Sequence, residues 1–111
     1  MNDGLCDVLI VEDDGMQCLE MSGFLRRAGL SVESAADGTQ AVSRSRFLRP
    51  KVVLLDYNLP DMTGVQAAEQ LRAILPSASI LMMSGRIDGL SEKTLADLGI
   101  TVFVKIGRAH V

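Results

Sequence analysis

A doubly wound α/β fold on a parallel sheet is what three features of this 111-residue sequence predict. Five short apolar runs alternate with stretches of helical character. The middle run is apolar without interruption, as in strands covered on both faces. Strands separated by helices need crossover connections, which are right-handed and generate a parallel sheet with helices on both faces. The chain is long enough for one domain with a real core and too short for two.

Each element has a local cause. Val8 to Val11 is the first strand, followed by Glu12, Asp13, Asp14 and Gly15. A helix over Met16 to Ala28 stops at Gly29, the residue type that closes helices. Ser31 to Ala36 alternates weakly and reads as an edge strand. Thr39 to Leu48 is helical, with Thr39 as its cap and Pro50 as its stop. The stretch VVLLDYNLPDMTG, residues 52 to 64, supplies the third strand and ends it on Asp56 before a turn through Pro60 to Gly64. Gly64 is expected there for close packing or a positive φ. Gly64 to Leu75 is the third helix, closed by Pro76. Ile80 to Met83 is the fourth strand, ending on Ser84 and Gly85. Leu90 to Leu98 is a short helix closed by Gly99, and Thr101 to Val104 is a fifth strand running into Lys105.

Composition narrows the function. Hydrophobic residues make up 48% of the chain, aromatics only 4%, and Trp is absent, so the core is expected to be aliphatic, with Met16, Met21, Met82 and Met83 as filler. A formal charge of −3 argues against direct nucleic-acid binding, which needs basic residues gathered on one face. Arg44, Arg46, Arg49 and Lys51 read as a solvated helix end. Cys6 and Cys18 fit neither a metal-spaced pair nor a disulfide framework and are expected as buried or half-buried thiols. No signal peptide or bilayer-length apolar segment is present, which predicts a soluble, cytoplasmic protein without membrane contact.

The chemistry lies at the strand ends. In a parallel sheet the carboxyl ends share one rim, where ligands bind. Glu12, Asp13 and Asp14, then Asp56, Ser84 and Lys105, fall on that rim. Carboxylates this close repel, and a hard divalent cation with oxygen ligands, Mg²⁺, relieves the repulsion. With Ser84 as a hydroxyl donor and Lys105 as a point charge, the set describes phosphoryl transfer, with Asp56 as nucleophile. Singly, each residue has a plainer account: Asp56 and Ser84 as turn residues, Glu12 and Asp13 as acids favoured at a helix N-terminus, Lys105 as a solvated strand end. Joint placement at consecutive strand ends is what favours the site.

Four segments, VLIVEDD, LLDYNLPDMTG, MMSG and VFVK, in order and spacing over about residues 5 to 105, resemble the signatures of bacterial two-component receiver domains. The resemblance implies a flavodoxin-like receiver topology and a phosphoacceptor role, with no enzymatic activity beyond autophosphorylation and autodephosphorylation. Asp56 matches the phosphorylated Asp, and Glu12 and Asp13 the acidic pair that holds Mg²⁺. Asn58 matches the position whose main-chain carbonyl completes the metal shell. Ser84 and Lys105 match the hydroxyl and the ammonium that bind the phosphoryl group. Asn58 and Arg86 match positions that in the family flank the phosphoryl group and modulate its lifetime, and Asp14 is expected to cap the first helix. The implied partner is a histidine kinase or phosphotransfer protein. His110 has no partner motif, so the chain is not its own phosphodonor kinase.

Two departures stand out. Receivers place an aromatic residue three positions before the lysine, where this chain has Val102; Phe103, one step along the strand, faces the other way. After Lys105, receivers continue with Pro and a fifth helix, whereas here IGRAHV follows. Those six residues can be encoded by ATC GGA AGA GCA CAC GTC, which looks like a common sequencing adapter. Residues 1–105 are therefore expected to be the receiver domain and 106–111 a non-native or truncated tail, with the fifth helix missing and any output domain lost. One alternate set of the fourth strand, Ile80 and Met82 or Leu81 and Met83, is then expected to be exposed. An Mg²⁺-dependent phosphohydrolase of related fold is the alternative, but the haloacid-dehalogenase type wants an Asp at position 58, which is Asn. A flavodoxin-like cofactor binder would want a phosphate-cradling loop where the acidic EDDG stands.

Overall fold

The strand ladders carry the molecule, and all five apolar runs join them. In the computed structural model, which describes residues 6–85 and 90–104, β1 (Val8–Val11), β2 (Val32–Ala35), β3 (Val52–Asp56), β4 (Ser79–Ser84) and β5 (Ile100–Val104) form one parallel sheet in the order β2-β1-β3-β4-β5. The helices α1 (Gly15–Arg27), α2 (Gly38–Leu48), α3 (Gly64–Ile74) and α4 (Glu92–Leu98) lie between them in sequence. The weakly alternating β2 is an edge strand, as its pattern predicts.

Register settles which side chains share a face. Val8, Ile10 and Val32 pack under α1 with Cys18, Met21 and Leu25. Leu9, Val11, Val53, Leu55, Ile80 and Met82 point the other way and pack with Ala41 of α2 and Ala67, Ala68 and Leu71 of α3. The expected exposure beside β5 falls on one alternate set: Leu81 and Met83 are half-buried, while Ile80 and Met82 are 1% and 0% exposed. Phe103 shares that thinner face and is 51% exposed, and Val102 packs against the opposite core, as the one-residue offset predicts.

Helix boundaries follow their caps, with some corrections. Asp14 caps α1, accepting from the amides of Met16 and Gln17, and Gly29 (φ +93°) ends it. The cap of α2 is Asp37, not Thr39: the Asp37 carboxylate accepts from the Gln40 amide, and Thr39 lies inside the first turn. An Asp two residues upstream outcompetes the Thr because it accepts without giving up a helical residue. Gly64 needs no positive φ; its role is close packing. Met16 is not core filler but 70% exposed on α1, whereas Met82 is buried as expected. Cys6 is buried and Cys18 half-buried, both as free thiols.

Candidate functional site

The strand order reverses between β1 and β3, the switch point at which open α/β sheets bind ligands. Glu12 and Asp13 follow β1 directly, and Asp56 is the last residue of β3. One carboxylate oxygen from each of Glu12, Asp13 and Asp56 lies within 4.8 Å of the other two. Glu12 and Asp56 are 4% and 6% exposed, and Asp13 is open to solvent.

Backbone geometry holds these groups. The Glu12 amide donates to Ala35, carrying the β1–β2 ladder one residue past the strand. The Glu12 carboxylate accepts from the Asp14 amide at 3.1 Å, while Asp14 caps α1. The Tyr57 amide donates to the Met83 carbonyl, which extends β3 alongside β4 and brings Ser84, 3% exposed, to the same rim. The Asn58 amide donates to the Asp56 carboxylate at 3.3 Å.

The loop after Asp56 is a small closed structure. Asn58 and Thr63 pair across it, the Leu59 amide donates to Met62, and the Gly64 amide donates to Tyr57. Thr63 and Gln66 then form a reciprocal capping box that starts α3. Its tip is tied elsewhere: the Asp61 carboxylate accepts from the amides of Gly38 and Thr39, each at 2.9 Å, and from the Thr39 hydroxyl at 2.6 Å. These bonds hold the Asp61 carboxyl below the usual carboxylate range, the Thr39 hydroxyl contributing most. The sequence reading missed Asp61, because an Asp after Pro in a turn is explained locally.

Glu12, Asp13, Asp56, Asn58 and Ser84 are thus gathered at one rim, and Asp14 serves the helix beside it. Lys105 and Arg86 lie outside the described residues. Three carboxylates this close repel by on the order of a few kcal/mol per pair at an effective dielectric of about 20. A donor set made only of carboxylate oxygens, two of them on buried residues and one on an exposed residue, matches Mg²⁺ in chemistry.

Known proteins share this architecture. The sequence model of the response regulator receiver domain matches residues 8–105. The DNA-binding response regulator MtrA of Mycobacterium tuberculosis is 37% identical over 81 residues, 73% of this chain and 35% of MtrA. The chemotaxis protein CheY of Thermotoga maritima is 32% identical over 78 residues, 69% of this chain and 65% of that protein. The chain therefore spans about a third of MtrA and less than two thirds of CheY. Among solved structures, the chemotaxis protein CheY4 of Vibrio cholerae superposes with a TM-score of 0.82 at 29% identity, covering 95% of this chain and 90% of that one.

Proposed function

This chain belongs to the family of response regulator receiver domains, the phosphoacceptors of two-component signalling, and on that premise we propose that Asp56 receives the phosphoryl group. The observation that carries the assignment is the placing of Asp56 within 4.8 Å of Glu12 and Asp13 at the switch point of the sheet. A carboxylate oxygen of Asp56 attacks phosphorus in the donor's phosphohistidine. The new O–P bond forms as the N–P bond breaks, and the imidazole leaves with the N–P electron pair and takes a proton from solvent.

Receiver domains bind Mg²⁺ at an acidic site, and the acidic cluster here has the right chemistry for it. Glu12, Asp13, Asp56 and the main-chain carbonyl of Asn58 are the proposed ligands. When bound, the ion supplies positive charge against the phosphoryl oxygens. Ser84 donates its hydroxyl to one phosphoryl oxygen, and Lys105 pairs its ammonium with another. The same site supports autophosphorylation from small phosphodonors and slow self-hydrolysis.

New contacts at Ser84 and Lys105 then bias a two-state element on the α4–β5 side. The seven residues of α4 include no buried one, which suits an element that shifts at little cost. The partner in this reading is a histidine kinase or phosphotransfer protein. In the same reading the domain, residues 1–105, touches no nucleic acid and works in the cytoplasm. No described helix is long and apolar enough to cross a membrane. We read residues 106–111, which are not described, as lying outside the domain. The test is intact mass after incubation with acetyl phosphate and Mg²⁺. One added phosphoryl group in the parent and none in Asp56→Asn is expected; equal modification of both removes the assignment.

A further inference from the structure

We infer that Asp61 is a positioning residue for the metal site, fixing the loop that carries Asn58 by tying its tip to the N-terminus of α2. The inference rests on the reading of Glu12, Asp13, Asp56 and Asn58 as Mg²⁺ ligands.

The loop from Tyr57 to Thr63 is closed at its base by the Asn58–Thr63 pair and the Gly64-to-Tyr57 hydrogen bond. A closed base fixes where the loop starts and ends, but it leaves the loop free to tilt about that base. Leu59 packs against the core, and contacts at the tip oppose the tilt further. Asp61 supplies three, all to residues 22 or 23 positions away in sequence. Met62 adds a fourth restraint: it lies over Gly38 so closely that a Cβ there would meet its sulfur at 2.5 Å. The first turn of α2 is an anchored base for this, since the Gln40 side chain accepts from the Ala36 amide at the end of β2.

Two capping acids therefore serve one helix end, and they do different things. Asp37 satisfies the Gln40 amide from within its own segment. Asp61 satisfies the Gly38 and Thr39 amides from the loop of the phosphoacceptor strand. Both stabilise α2, but only Asp61 connects α2 to Asn58, three residues upstream. A ligand carbonyl held in place before the ion arrives spares the cost of ordering it on binding. Groups that orient metal ligands without touching the metal commonly change affinity by 10- to 100-fold. By linkage, the ion must in turn steady the tie.

The experiment is an Mg²⁺ titration of the full chain, read from the fluorescence of Tyr57, its single tyrosine in a chain without Trp. Asp61→Ala should bind about tenfold more weakly than the parent. Asp61→Asn, which keeps one accepting oxygen but puts a donor NH₂ in place of the other, should recover only part of that loss. Asp37→Ala, which costs α2 its other cap, should lower the Tm while leaving Mg²⁺ affinity within twofold of the parent. Hydrogen exchange at the Gly38 and Thr39 amides should slow on adding Mg²⁺ to the parent and not to Asp61→Ala. If Asp61→Ala binds like the parent, or Asp37→Ala weakens binding as much as Asp61→Ala does, the positioning role is overturned. If the parent itself shows no Mg²⁺ binding at millimolar concentration, the metal-site reading falls, and this inference with it.

Discussion

Gly64 lies directly against the backbone of Asp56: a Cβ at position 64 would sit 2.8 Å from the Asp56 carbonyl oxygen and 2.8 Å from the Tyr57 Cα. The first turn of α3 is thereby pressed onto the strand end that bears the proposed nucleophile. Backbone atoms cannot swing aside as a side-chain tip can. Gly64→Ala is accordingly expected to cost about 1–3 kcal/mol in urea unfolding and to slow phosphorylation by acetyl phosphate. Gly23→Ala is the control, since its nearest obstacle is the flexible end of Arg27 at 3.4 Å. Equal stability of Gly64→Ala and the parent contradicts the close-packing account.

The acidic cluster makes a prediction of opposite signs. Without a cation, Glu12, Asp13 and Asp56 repel, so Asp13→Asn should raise the Tm in metal-free buffer. With millimolar Mg²⁺ the parent gains stability by mass action, and Asp13→Asn should gain little. A parent Tm indifferent to Mg²⁺ means that the cluster holds no ion.

Arg72 predicts where the molecule first opens. Its Nε donates to Leu98 at 2.9 Å, and its guanidinium nitrogens donate to Leu75, Pro76, Ala78 and Gly99. One side chain thus joins the ends of α3 and α4 to the start of β4. A Lys point charge cannot reproduce the planar fork. Arg72→Lys should lower stability by about 1–3 kcal/mol, with hydrogen exchange rising in α4 before α2. Uniform loosening of both helices counts against the clamp.

The fold was legible because its signals are local. Apolar runs, closing glycines at Gly29 and Gly99, and the Asp14 cap each act within a few residues, and all appear where the pattern puts them. The acidic site was legible because topology alone places strand ends together. Asp61 was not, since its partners lie on another segment and nothing near it in sequence announces them. Thr39 misled for the same reason: its hydroxyl serves the Asp61 tie, leaving the cap to Asp37. Met16 misled because the apolar pattern of α1 does not tell the sheet side from the solvent side at its first turn.

Cys6 gives a pH dependence. Burial, reinforced by Glu33 and Asp7, pushes its thiol from 9.0 up to about 11. Below pH 9 the thiol is protonated in both folded and unfolded chains. Between pH 9 and about 11 only the unfolded chain has lost the proton, so stability falls as pH rises through that window. Urea unfolding across the window should show a steeper decline in the parent than in Cys6→Ala. Parallel profiles dispose of the claim.

Among the described residues, Leu81, Met83 and Phe103 lie on the less covered side of the sheet, with Phe103 51% exposed. Joining a Pro-led amphipathic helix after Lys105 should raise the Tm and reduce binding of a hydrophobic dye, provided its apolar stripe covers these three residues. The same helix with that stripe made polar should do neither. If the two helices act alike, the face needs no cover.

The central claim is that the phosphoryl group resides on Asp56, and borohydride trapping tests it most directly. An aspartyl phosphate is an acyl phosphate, which borohydride reduces to homoserine while leaving ordinary carboxylates untouched. After treatment with acetyl phosphate and Mg²⁺, peptide mass mapping should find homoserine at position 56 and aspartate retained at positions 13, 14 and 61. Homoserine at another position, or none in a protein whose intact mass shows that it was phosphorylated, contradicts the account.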